Sequence, residues 1–260
     1  MSKIGEQLQR LHKPVASMGF GFVPASAPRR QMLLIVRFDS LPGDQDVAAL
    51  ESADFVVVPG ASDGGAQRPR SNERLGDVPV GAWLEQVPEL PVEATQTSYD
   101  FLVCDLSGPI DAVARKGRGL LMLVGTGVES SLLRAIGESG VDAAVLDAKT
   151  LDLSRLSSVV ECRRVRLASG KPVILYVDRP VEEGQLVVLW QAGVDGLLVD
   201  SAVGAEILAS IRSRVDCAPF EARPGGAGAS IGVYVGALSQ PDAEEGGGDG
   251  DDDDDDDDDG

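Results

Sequence analysis

Five of the most apolar runs in this chain close on the same residue: LLIVRFD, FLVCD, AAVLD, VILYVD and GLLVD end at Asp39, Asp105, Asp147, Asp178 and Asp200. Short β-branched runs separated by helical patterns read as parallel strands covered on both faces, which have no polar side to show. Eight segments fit: 32–38, 54–59, 79–84, 100–105, 119–124, 142–147, 172–177 and 195–199. Eight is the count for a closed (β/α)8 barrel, and the alternative is an open doubly wound parallel sheet. In either fold a carboxylate at each strand exit gathers negative charge on the face where such folds place their sites.

The helical segments support an α/β reading best in the second half. Residues 3–12 form an amphipathic helix with Ile4, Leu8 and Leu11 on one face and Ser2 as N-cap. LSGPIDAVARKG, ESSLLRAIGESG, LSRLSSVVECRRVRLASG, EEGQLVVLWQAG and AVGAEILASIRSRV each follow a strand, and most stop at a glycine, as helix C-caps do. The first half fits less well. Residues 60–78 and 86–98 carry no clear helical period, so the barrel is expected to be small and irregular, with missing or short helices there. The MGFGFV patch within the Gly- and Pro-rich residues 14–30 is placed as a plug for the barrel floor.

The phrases SGVDAAVLD and AGVDGLLVD, at 139–147 and 192–200, repeat nearly word for word as helix end, Gly, Val-Asp, strand, Asp. This phrase resembles the last units of TIM-barrel enzymes, with similar wording in the indole-glycerol-phosphate synthase and flavin-dependent oxidoreductase groups. The resemblance implies the TIM-barrel fold and no particular chemistry. Where phosphate-binding barrels carry Gly-rich turns after strands 7 and 8, this chain has Asp178-Arg179-Pro180 and Asp200-Ser201-Ala202-Val203-Gly204.

Strand alternation puts Leu33, Ile35, Arg37 and Asp39 on one face, Trp83 with Glu85, and Tyr176 with Asp178. An arginine inside a barrel needs a carboxylate partner. The mouth is therefore expected to hold Asp39, Glu85, Asp105, Asp147, Asp178 and Asp200, relieved by Arg37, Lys149 and Arg179. Such crowding calls for a cation, and Mg²⁺ or Mn²⁺ bound by two or three of these carboxylates would resolve it and polarise a carbonyl. Lys149 and Arg179 are the candidate catalytic residues, holding a substrate carboxylate or an oxyanion. The competing role for each aspartate is to cap the following helix.

Several function classes drop out. No P-loop, nucleophile elbow, HExxH or GxGxxG is present, and Gly125-Thr126-Gly127 alone reads as a tight turn. His12 is the single histidine and sits on the N-terminal helix. Cys104, Cys162 and Cys217 lack metal-site spacing and read as buried reduced thiols. Without a 20-residue apolar stretch or a signal peptide, the expectation is a soluble cytoplasmic protein with no membrane contact.

The net charge of −19 is concentrated at one end. Residues 241–260 hold 13 acids and no Lys or Arg; the other 240 residues hold 29 acids against 23 bases, a net of −6, which offers nothing to nucleic acid. The expected organisation is an N-terminal helix and linker (1–30), the barrel (31–220), a linker with an apolar docking strand IGVYVGAL (221–240), and a disordered poly-Asp tail (241–260). Two functions fit: a metal-assisted lyase or aldolase on a small oxo-acid, or a non-catalytic barrel that assembles with a partner or with itself through residues 231–238.

Overall fold

The computed structural model describes residues 2–12, 31–60, 75–84, 99–108, 117–220 and 223, with the side chain of His12 left out. Its centre is a closed barrel of eight parallel strands in sequence order: β1 (Leu33–Arg37), β2 (Phe55–Pro59), β3 (Val80–Leu84), β4 (Phe101–Cys104), β5 (Gly119–Val124), β6 (Ala143–Asp147), β7 (Val173–Val177) and β8 (Val194–Asp200). All eight expected segments are strands, and the open sheet is ruled out because β8 pairs with β1 from Leu33↔Gly196 to Arg37↔Asp200. This is a TIM barrel.

Among the described residues six helices accompany it: α1 (Lys3–His12), α2 (Val47–Ser52), α3 (Ser130–Glu138), α4 (Leu156–Ser169), α5 (Glu183–Ala192) and α6 (Ala205–Cys217). Short 3-10 turns precede α2 at Asp44–Asp46 and α6 at Ser201–Val203. The sequence pattern did not reveal α2, whose six residues are too few to establish a period. The glycine stops are real at α4 and α5, where Gly170 and Gly193 take φ of 65° and 107° and cap with their N–H groups. Residues 61–74 and 85–98, the helix expected at 109–116, MGFGFV and everything beyond Arg223 lie outside the described residues. The chain divides into two units, Met1–Ala227 and Gly228–Gly260, and the second lies wholly outside them.

Period-two alternation sorts the strand residues into two cores. Leu34, Val36, Val56, Leu102, Val173 and Val199 face outward and pack with Leu133, Cys162, Val165, Leu186 and Leu208 of the helices. Leu33, Ile35, Phe55, Val57, Phe101, Val103, Leu121, Val145, Ile174 and Leu198 face inward. Ile4 and Leu8 of α1 belong to this inner cluster, so the floor is stoppered by α1. Glycine makes the room: a Cβ on Gly119 would meet Ile4 at 2.5 Å, and one on Gly81 would meet the Phe101 ring at 2.3 Å.

The floor also carries a repeated polar device. Asp54, Asp100, Asp142 and Asp195 stand at the starts of β2, β4, β6 and β8, and their carboxylates accept the N–H groups of Leu34, Val80, Leu120 and Val173 at 2.8, 3.1, 3.0 and 2.9 Å. For the first three, the Asp N–H donates back to the carbonyl of the same residue at 2.7–2.8 Å. Each carboxylate thus clasps the preceding odd-numbered strand. Each also takes a distant donor: Arg212 on Asp54, Lys3 on Asp100, Ser2 on Asp142, and Arg166 with Arg223 on Asp195. The repeat seen in two copies therefore has four, the other two reading Ala53-Asp54-Phe55 and Tyr99-Asp100-Phe101.

Candidate functional site

At the opposite end of the strands the inward row becomes polar. Arg37 is the last residue of β1, Tyr176 lies one residue before the end of β7, Asp200 ends β8, and Lys149 follows β6 by two residues. Closure of β8 onto β1 sets Arg37 beside Asp200, and β7 places Tyr176 next to Leu198 in the same row.

These four side chains form one network. The Tyr176 hydroxyl donates to Asp200 Oδ1 at 2.8 Å, and it accepts from Lys149 Nζ at 2.7 Å and Arg37 Nη1 at 3.1 Å. Asp200 also accepts from Arg37 Nη1 at 3.0 Å and from Lys149 Nζ at 3.1 Å. A phenol has one donor and two acceptor positions, so Tyr176 is fully used. Aromatic faces complete the setting: the Arg37 guanidinium lies 4.7 Å from the centroid of Trp83, Lys149 Nζ 4.0 Å from that of Tyr176, and the two rings are 5.4 Å apart.

Arg37, Lys149 and Asp200 together carry a net charge of +1. Burial works against the charge on Lys149 and Arg37, but hydrogen bonds to Tyr176 and Asp200 outweigh it and hold both pKa values above their ordinary range. Burial pushes against Asp200 as well, and its three donors bring its carboxyl below the usual carboxylate range. Burial raises the Tyr176 phenol, with Lys149 opposing and Asp200 adding to the rise. Near neutral pH the site is two cations, a carboxylate and a neutral phenol. A lysine held protonated is an anion holder and an oxyanion stabiliser; imine chemistry would require the free amine.

The structure distributes the expected site residues unevenly. Asp200 and Lys149 stand in the network. Asp39 reaches Arg37 at 3.3 Å from a 75 % exposed position. Arg179 pairs with Asp178 at 3.0 Å and donates to the Lys149 carbonyl, so it fastens the loop that carries Lys149. Asp105 accepts from the Ser107 N–H and hydroxyl at 2.9 and 2.6 Å, and Asp147 accepts from the Lys149 N–H at 3.1 Å. These are turn contacts two residues onward rather than helix caps. Asp200 is the N-cap of the 3-10 turn, yet its side chain makes no capping bond. Glu85 lies outside the described residues. Among the described residues no three His, Cys, Asp or Glu side chains are grouped to hold a metal ion.

Tyr176 and Trp83 stand on the inward row that alternation gives them, but no functional role was expected of either. The available signal was the alternation itself, which puts Tyr176 in the inward row. Of the cysteines, Cys104 and Cys162 are buried, their thiols pushed by burial up to about 11 and about 12. Cys217 departs from the expectation and is exposed. No helix among the described residues is long and apolar enough to cross a membrane.

Neither a family model nor a curated protein matches the chain. Solved structures do. A mutant tryptophan synthase α subunit from Pyrococcus furiosus superposes with a TM-score of 0.53 at 15% identity, over 71% of this chain and 96% of that one. A tryptophan synthase structure from M. tuberculosis gives 0.52 at 15% identity, over 74% and 94%. A structure from Aquifex aeolicus VF5 gives 0.57 at 11% identity, over 85% and 100%. At these identities the likeness is one of fold.

Proposed function

We propose that this barrel is an enzyme of the lyase or aldolase type that takes a small oxo-acid at its C-terminal mouth. The observation that carries the reading is the convergence of Arg37, Lys149 and Asp200 on the single hydroxyl of Tyr176, within 2.7–3.1 Å. The rest of the barrel interior is apolar, so these polar groups are placed where the fold puts chemistry. The tryptophan synthase subunits among the similar barrels add support at the level of fold alone.

In this reading Lys149 holds the substrate carboxylate or the enolate oxygen, with Arg179 keeping its loop in place. Asp200, the ionised member of the network, takes the proton from the carbon next to the carbonyl, and the Tyr176 hydroxyl, freed from Asp200, donates to the enolate oxygen that forms. Arg37 and Lys149, the two cations beside that hydroxyl, stabilise the negative charge on the enolate. The two cations supply the compensation otherwise assigned to Mg²⁺ or Mn²⁺.

Ligand-observed NMR with pyruvate and 2-oxoglutarate tests the binding half. The wild-type chain is expected to show saturation transfer to at least one of them at millimolar concentration, and Lys149→Met to lose it. Transfer to neither acid, or equal transfer in the variant, would leave the barrel as a non-catalytic assembly protein.

A further inference from the structure

The mouth uses one end of β8; the other end holds a second built site. Asp195, at the start of β8, is 0 % exposed. Its Oδ2 accepts the Val173 N–H at 2.9 Å and Arg166 Nη1 at 3.2 Å, and its Oδ1 accepts Arg223 Nη1 at 2.6 Å. Arg223 Nη2 donates to the Val194 carbonyl at 2.6 Å. The guanidinium carbon lies 3.6 Å from the centroid of the Trp190 ring, which also packs against Phe220 at 5.3 Å. A carboxylate, a carbonyl and an indole face are thus set as two acceptors and a wall around one flat fork of donors.

We propose that the N-terminal rim beside β8 is a guanidinium-binding pocket, filled in this chain by its own Arg223. A guanidinium satisfies all three walls at once, two parallel N–H groups meeting the acceptors while the plane stacks on the ring. An ammonium is a point charge and can serve only part of this set. Arg223 Nε meets no acceptor among the described residues, so recognition rests on the terminal fork.

The occupant is held under tension. Burial pulls Arg223 below the ordinary guanidinium range, Asp195 opposes that pull, and Arg166 and Arg163 add to it. Two arginines, Arg166 and Arg223, thus share the one buried carboxylate. The site is independent of the mouth: the five steps of β8 from Asp195 to Asp200 separate the two by roughly 17 Å.

Chemical rescue tests the proposal on the full chain. Arg223→Ala is expected to lower the thermal midpoint by on the order of 5–10 °C, since it strips a partner from a buried carboxylate. Ethylguanidinium at low millimolar concentration should restore at least half of that loss, whereas ethylammonium at the same concentration should not. Arg223→Lys should melt close to Arg223→Ala, and neither cation should shift the wild type. If Arg223→Ala does not fold, Arg223→Met keeps an apolar cover over Trp190 and is put through the same comparison. A variant that melts like the wild type, or rescue that is equal with both cations, overturns the assignment.

Discussion

Aspartates crowd both ends of this barrel, and they do different things there. On the floor, Asp54, Asp100, Asp142 and Asp195 each accept a backbone N–H of the preceding odd strand and take further donors from Ser2, α1, α4, α6 or the chain after α6. At the mouth, Asp39 and Asp178 sit in solvent beside an arginine, Asp105 and Asp147 turn back on their own loops, and only Asp200 joins residues from other strands. Partner type separates the two ends, and at Asp54 and Asp195 depth does so as well. A buried carboxylate on backbone N–H groups fixes register, because losing it orphans groups that water cannot reach. A carboxylate among two cations and a phenol, part-exposed beside Lys149, can exchange its partners for a ligand.

The sharpest way to break this contrast is to remove a floor carboxylate. Asp54 has a 3 % exposed side chain and holds both the Leu34 N–H and Arg212. Asp54→Ala is expected to cost roughly 3–5 kcal/mol in urea unfolding. A loss below about 1 kcal/mol would reduce the floor clasp to decoration.

A smaller effect belongs to the mouth and depends on pH. The folded Asp200 carboxyl titrates below its ordinary value, so its stabilising contribution is present above the unfolded value of about 4 and fades as pH falls through the folded one. Asp200→Asn is therefore expected to lose roughly 2 kcal/mol at pH 7, a gap that narrows as pH falls below about 4. A gap that does not narrow would assign the effect to packing. The smallest change is expected at Asp39, whose 75 % exposure predicts that Asp39→Asn stays within about 0.5 kcal/mol of the wild type.

The sequence disclosed more of the fold than of the site. Eight short apolar runs spaced by helices and stopped by glycine leave little besides a parallel barrel, and the alternation LLIVRFD was enough to turn Arg37 inward towards a carboxylate. Which carboxylate was hidden. Arg37 meets Asp200 because the last strand closes on the first, a relation across 163 positions that no local pattern carries. The floor was overlooked for a related reason. Asp before an apolar run reads as a turn residue, and Ala53-Asp54-Phe55 shares only its aspartate with Val194-Asp195-Gly196. Only the shared bond to the neighbouring strand shows them to be one device. Tyr176 was concealed by its own chemistry, since a tyrosine inside an apolar strand passes for core until its hydroxyl is seen among three charged groups.

Whether the mouth moves protons decides whether it is the working end of the barrel. Deuterium wash-in next to the carbonyl of pyruvate and 2-oxoglutarate, followed by proton NMR in D₂O, reads this without knowledge of the full reaction. The wild-type chain should accelerate exchange of at least one acid above buffer, and Tyr176→Phe should lower that rate by about 10²–10⁴ while its thermal midpoint stays within a few degrees. Exchange at the buffer rate in the wild type, or at an undiminished rate in Tyr176→Phe, would contradict the assignment of the mouth as the working end of the barrel.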